Sequence, residues 1–161
     1  GTDAVKPYMT GCKELGKDLF FAIRTPNKSA LEIQDLLTGS RHVYTAAADL
    51  LSRYGETVLD RSGYSRVGFL TSAGSTTSLM ELRTKYKRFF MLVDGLDTPS
   101  GNAKNASLAF DRLGHGAVVC AAEGITCAWQ DAGSDGVDFA AQALEAARRM
   151  QKNIWRYVTV I

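Results

Sequence analysis

Three loops hold most of the residues in this chain that could do chemistry. Thr98, Ser100 and Gly101 lie within Asp94-Gly-Leu-Asp-Thr-Pro-Ser-Gly-Asn102, where hydroxyls and backbone amides at the start of a helix could cradle a phosphate. The same run also suits a plain strand-to-helix turn, and Asp94 and Asp97 beside it would oppose an anion. Those two acids could be paired carboxylates, although acids ahead of a helix more commonly accept bonds from backbone N–H groups. Glu123, in Ala122-Glu-Gly-Ile125, could be a general base. With no His or Lys near it in sequence, a solvated or helix-capping glutamate is the plainer role. Thr25-Pro-Asn-Lys28 forms the remaining loop. Cys120 and Cys127 could be redox-active, but Cys120 sits in an apolar run and reads more simply as core. His42 and His115 are far apart and lack cysteine partners at ligand spacing, so no metal is expected.

These loops follow short apolar runs, as they would at the C-terminal ends of buried parallel strands. The runs are Leu19–Ile23, Val67–Thr71, Phe89–Val93 and Ala117–Ala121. Helical spacing fills the intervals. One helix is predicted over 3–16, capped by Asp3 and ended by Gly16. A second over 43–59 has Val43, Ala46, Ala47, Leu50, Leu51, Tyr54 and Val58 inward. Others are predicted over 75–86 (Leu79, Leu82 and Tyr86 inward), 103–113 and 137–157. The last has Val137, Ala140, Ala141, Leu144, Ala147, Ile154 and Tyr157 on one stripe, and Glu145, Arg148, Arg149 and Lys152 on a solvated face. Residues 32–40 read as irregular, with a Thr-Gly-Ser turn, and 123–136 as a long excursion. Alternation of this kind implies an α/β fold with a parallel sheet and right-handed crossovers. Four such strands make either a small open sheet or half of an eight-stranded barrel, and periodicity does not separate the two.

Composition narrows the function classes. A chain of 161 residues, 45% apolar and 22% charged, fits one globular domain over 1–161 with a substantial core. Its net charge of +2 does not argue for nucleic acid or an anionic membrane surface. No apolar run is long enough to span a bilayer. Three cysteines, an odd number, argue against a disulfide framework and for an intracellular, reducing environment. Because the sequence starts at Gly1 and not Met, it reads as processed, engineered or partial, and a trimmed front would fit import into a mitochondrion or another organelle.

The order of the loops adds a resemblance. The chain resembles the C-terminal half of orotidine 5'-phosphate decarboxylase, in its longer bacterial-type subfamily, over nearly its whole length. The resemblance is carried by Gly-Thr-Asp-Ala-Val-Lys-Pro-Tyr8, Phe21-Ala-Ile-Arg-Thr-Pro-Asn-Lys-Ser29, and Glu32 with Gln34. It continues through Val43-Tyr44, Ser62-Gly-Tyr-Ser-Arg-Val-Gly68, Phe90-Met-Leu-Val-Asp-Gly95 and Leu113-Gly-His-Gly-Ala-Val-Val119. Glu123-Gly-Ile125 and Asp138-Phe-Ala-Ala-Gln-Ala143 complete it. It implies a partial TIM barrel of about four βα units, whose strands are the last four of eight. It also implies a cofactor-free decarboxylation whose Lys/Asp network lies in the other half, while this half holds pyrimidine and phosphate.

Residue by residue, the implied site departs from the family. After the first strand the family reads Thr-Ser-Asn-Pro, and its serine bonds the pyrimidine. Here Thr25, Pro26 and Asn27 occupy that place, and proline supplies neither hydroxyl nor N–H. After the third strand a glycine-rich loop offers a glutamine to the phosphate. This chain keeps Gly95 and Gly101 but has Pro99 at the glutamine position, with Thr98 and Ser100 as weaker substitutes one residue away. After the fourth strand the family has Ser-Arg-Gly-Ile, whose arginine neutralises the phosphate, where this chain has Ala122, Glu123, Gly124 and Ile125. Exchanging a bidentate arginine for a carboxylate turns attraction into repulsion, on the order of 1–4 kcal/mol each way near a surface.

The expectation is therefore a degenerate site on a non-catalytic, decarboxylase-like structural or interaction subunit of a larger assembly, with no cofactor. Half a barrel leaves two open edges and an uncovered inner face, so other protein chains, or a second copy in a homo-oligomer, are expected to cover it. The apolar ending Trp155–Ile161 would dock on such a partner or on the barrel floor. Two alternatives stand beside this. One is a split or truncated decarboxylase acting on orotidine monophosphate in pyrimidine biosynthesis. The other is a small-ligand binding module that reuses the pocket.

Overall fold

The computed structural model describes residues 1–159. Its centre is a four-stranded sheet in which β1 (Leu19–Ala22), β4 (Ser65–Ser72), β5 (Phe89–Asp94) and β6 (Ala117–Val119) lie side by side in that order. Every pairing within it is parallel. The remaining strands, β2 (Leu37–Thr38) and β3 (Arg41–His42), form a small antiparallel hairpin closed by Gly39 at φ 65°. That hairpin stands where the sequence indicates only an irregular turn.

The pairing register sorts the sheet residues onto two faces. Val67, Phe69, Thr71, Phe89, Met91 and Val93 point to one side and are fully or nearly fully buried. The helices α1 (Thr2–Leu15), α3 (Val43–Gly55), α4 (Thr76–Lys85) and α5 (Ala103–Ser107) contribute Met9, Cys12, Ala48, Leu51, Leu79, Leu82 and Ala106 to the same core, and a single turn, α2 (Ala30–Ile33), lies between β1 and β2 in the chain. Phe69 stacks on Phe89 at 4.9 Å between ring centres, and Tyr86 meets both rings edge-on. The opposite face presents Phe20, Ala22, Leu70, Phe90, Leu92, Asp94 and Val118. No element among the described residues lies over it, and all seven remain exposed or half-buried. Nor does any described strand pair with the outer side of β1 or β6.

The predicted helix over 75–86 has the expected inward residues, and Ser75 caps it by accepting from the Ser78 amide. Elsewhere the chain departs from periodicity for identifiable reasons. The first helix is capped at Gly1, with Asp3 in its first turn, and ends in left-handed Gly16 as expected. The second stops at Gly55, four residues early, where there is no room for a side chain: an added Cβ would lie 2.3 Å from the Phe89 ring. Its buried line is Tyr44, Thr45, Ala48, Leu51 and Gly55, rotated from the apolar stripe. The cause is Glu81 on α4, which accepts bonds from the Tyr44 and Thr45 hydroxyls at 2.6 and 2.7 Å and so draws those polar residues inward.

The helix expected over 103–113 ends at Ser107. Leu108, Ala109 and Phe110 form i→i−3 bonds, and Asp111 then accepts the amides of Leu113 and His115, which turns the chain back toward β6. The excursion over 123–136 contains two single turns, α6 (Glu123–Thr126) and α7 (Ala128–Asp131). The last helix, α8 (Phe139–Trp155), packs on α5, α6 and α7. Its buried residues are Ala146 and Ile154, while Val137, Leu144 and Tyr157 of the expected stripe stay exposed. The apolar ending reaches beyond the described residues at positions 160 and 161. No described helix is long and apolar enough to cross a membrane.

Candidate functional site

The loops after β1, β4, β5 and β6 gather at the C-terminal edge of the sheet. The β1 loop is fixed from below. Arg24, nearly buried, grips Asp35 through two bonds of 2.7 and 3.0 Å and also donates to the Thr25 carbonyl. Gln34 accepts the Thr25 amide at 2.8 Å and donates to its hydroxyl at 3.0 Å, and that hydroxyl donates in turn to Asn27. Thr25 and Asn27 therefore satisfy one another within the loop.

Pro26 lies directly against the β5 loop. A side chain at Gly95 would begin 2.6 Å from Pro26 Cβ, and the Gly95 backbone has φ 75° besides. The β5 loop then folds onto itself. Asp94 accepts the Gly95 amide, the Thr98 hydroxyl donates to the Gly95 carbonyl at 2.8 Å, and the Gly101 amide donates to the Thr98 carbonyl at 2.9 Å. At Gly101 any Cβ would fall 2.0 Å from the Gly95 oxygen. Ser100 rests over Gly74 of the β4 loop, and Pro99 is exposed. Asn102 caps α5 by accepting the Asn105 amide at 2.8 Å.

One residue joins the β5 and β6 loops. Asp97 Oδ2 accepts the amides of Ala122 at 2.8 Å and Gly124 at 2.9 Å. Burial works to raise the Asp97 pKa, but the amides of Gly124 and Ala122 outweigh it and hold the carboxyl below the usual carboxylate range. The loop acid thus serves backbone N–H groups, as its type suggests, but on a loop about 25 residues away and not on the helix that follows it. Sequence spacing carries no sign of that contact. Glu123 stands exposed between the two bonded amides, in the first turn of α6. Gly124 is close-packed, with Asp97 and Met150 each within 3 Å of where a Cβ would lie.

The structure thus brings Pro26, Gly95, Ser100, Gly101 and Gly124 into one contiguous mouth. Among the described residues two carboxylates stand at this mouth, Asp97 on the amide pair and the half-buried Asp94, while the nearly buried Arg24 guanidinium is engaged by Asp35. Two backbone amides converging on one oxygen form an anion receptor, and here the occupant is the chain's own carboxylate. Among the described residues no group of three or more His, Cys, Asp or Glu could hold a metal ion.

No family model matches the chain. An orotidine 5'-phosphate decarboxylase of Clostridium acetobutylicum is 34% identical over 131 residues, covering 81% of this chain and 46% of the relative. That of Clostridium novyi is 29% identical over 157 residues, covering 97% of this chain and 54% of the relative. The chain spans about half the length of the curated relatives it matches. Among solved structures, an OMP decarboxylase of Leishmania donovani superposes with a TM-score of 0.70 at 21% identity, over 96% of this chain and 54% of that one. The UMP synthase of the same organism gives 0.71 at 23% identity, over 96% of this chain and 31% of that one. The fold is part of the TIM barrel of these enzymes, and homologues named orotidine 5'-phosphate decarboxylase cover the chain, consistent with the C-terminal half of a longer decarboxylase.

Proposed function

We propose that this chain, homologous to orotidine 5'-phosphate decarboxylases over about half their length, is a non-catalytic barrel half that serves a structural role in a larger assembly. The observation that carries this reading is the Asp97 carboxylate on the amides of Ala122 and Gly124. A phosphate reaching those amides would have to displace a bonded carboxylate that stays ionised even below the ordinary carboxylate range. It would then meet Glu123 where the resemblance implies an arginine. Pro26 and Pro99 remove the further donors expected for the pyrimidine and the phosphate. An enzyme whose rate draws on phosphate binding energy loses turnover as well as affinity under such changes.

Calorimetric titration with uridine and orotidine monophosphates tests the reading. No heat of binding is expected at millimolar nucleotide, and micromolar affinity would overturn it. The identity to named decarboxylases favours a second reading, in which the chain is one part of a working decarboxylase and another segment supplies the Lys/Asp network. Under that reading, decarboxylation would appear on adding the remaining half of a relative, and nucleotide would bind to the pair.

A further inference from the structure

We infer that the cleft between the end of α4 and the 108–115 turn, on the N-terminal edge of the sheet, docks an acidic peptide segment of a partner protein, with an aliphatic residue among its carboxylates. The inference rests on the structural reading above, for which it names the partner's chemistry, and it concerns the edge of the sheet opposite the mouth.

Arg83 of α4 builds the cleft. Its Nε donates to the Ala109 carbonyl and its Nη2 to the Gly116 carbonyl, each at 2.6 Å, and a longer bond of 3.3 Å runs from Nη1 to the Lys87 carbonyl. One guanidinium thus ties the turn before β6 to the helix, and the cleft of about 600 Å³ between them has a preformed wall. That wall also carries Lys87, Asp111 and Arg112, with Phe110 and Leu113 as its apolar part.

The cations outnumber the anion, and none has a carboxylate of its own. Arg24, Arg41, Arg66 and Arg88 each pair with an Asp or Glu. Among the described residues no ion pair includes Arg83, Lys87 or Arg112. Asp111 is committed elsewhere: the Tyr64 hydroxyl donates to one of its oxygens, and the amides of Leu113 and His115 donate to the other. Burial lowers the Arg83 pKa, against the opposing pull of Tyr64 and Asp111. The guanidinium is therefore desolvated and only partly neutralised, the state in which an incoming carboxylate gains most. Three of its five N–H groups are spent on carbonyls, and two remain. The net charge of +2 is an average that hides this local excess.

The occupant follows from the mixture on the wall. Leu113 is 61% exposed and Phe110 half-buried, so an aliphatic side chain gains contact there while flanking carboxylates meet Arg83, Lys87 and Arg112. Nucleic acid asks for a row of cations along a backbone track and open rings on which bases stack. Here three cations gather on one cleft, and the Phe110 ring already meets Trp155 at 6.2 Å between ring centres.

Fluorescence anisotropy on the full chain tests this with labelled acetyl-Asp-Glu-Leu-Glu-Asp-amide, its neutral counterpart acetyl-Asn-Gln-Leu-Gln-Asn-amide, and oligothymidylate. The acidic peptide should bind with a dissociation constant below about 1 mM, at least about tenfold more tightly than the neutral one, and salt should weaken it. Lys87→Glu and Arg112→Glu should each cost about tenfold in affinity. Both residues are exposed and outside any described ion pair, so thermal unfolding should stay unchanged. Amide shifts on adding the peptide should fall at 83–87 and 110–113. No peptide binding, equal affinity for the two peptides, or indifference to both charge reversals would overturn the inference. Tighter binding of oligothymidylate, lost in the same variants, would replace it with a nucleic-acid surface. Shifts confined to 94–101 and 122–124 would move the peptide to the mouth and overturn it as well. Nucleotide binding is read separately at those mouth loops, so failure here and failure of the non-catalytic reading are distinct results.

Discussion

The two faces of the parallel sheet are made of similar residues and meet different fates. On the helix-covered face Phe69 lies between Phe89 and Tyr86, with no solvent contact. On the open face Phe20 leans over Gly68 toward Phe90 and remains 41% exposed. Both faces alternate large apolar residues at the spacing of a strand, so composition does not distinguish them. What distinguishes them is supply. The helices of this chain bury one face over β4 and β5, and no described helix covers the other. The first face holds the buried core of the chain and the second is apolar surface that no described helix covers.

Substitutions can break that contrast. Phe69→Ala should cost about 3–5 kcal/mol, because a fully buried ring is removed from a stacked cluster that cannot collapse around the gap. Denaturant unfolding measures this, and a loss under 1 kcal/mol would mean that the two faces are energetically alike. Next in size is Asp35→Ala, which leaves the nearly buried Arg24 guanidinium without its bidentate carboxylate and should cost roughly 3 kcal/mol. It would also release Thr25 and loosen the mouth, which proteolysis at residues 24–29 would report.

A smaller effect is expected at Asp97. Asp97→Asn should lower stability by about 1 kcal/mol, since the carboxylate is exposed and solvent replaces part of the lost bonding. The sign with pH follows from a folded pKa below the unfolded one. The stabilisation is present above about pH 4 and is lost as pH falls through the folded value. The variant should therefore show a shallower loss of stability in acid than the parent, and identical acid profiles would sink the assignment. Smallest of all is Leu92→Ser on the open face, expected to change the stability of the free chain by no more than about 1 kcal/mol. A loss comparable to that of Phe69→Ala would show that something already covers the open face.

Much of the fold was legible because strong local signals agreed. Leu79, Leu82 and Tyr86 held their helical spacing, Gly16 and Gly39 adopted the backbone that only glycine takes easily, and each apolar run became a parallel strand. The misses have a common cause, which is polar contact across elements. Glu81 rotated the face of α3 by binding Tyr44 and Thr45, and Asp111 ended a helix by capturing two amides. Neither partner could be seen from periodicity. Pro26, Pro99 and Glu123 are visible as residue types, and the structure places all three on loops at the C-terminal edge of the sheet. The role of Asp97 was not legible, because its bonds reach a loop that only the fold brings near.

The β5 loop also constrains which sequences could follow from this one. Gly101 has no space for a single added carbon, and the obstruction is backbone rather than a movable side chain. Pro99 and Glu123 are exposed and could be replaced without disturbing their neighbours. A mutational walk toward anion binding therefore has open steps at 99 and 123 and a conditional one at 97, whose loss frees the amides but loosens the loops. It has none at 101. That glycine is retained for the closure of its own loop, and so its presence carries no record of whether a phosphate was ever held there.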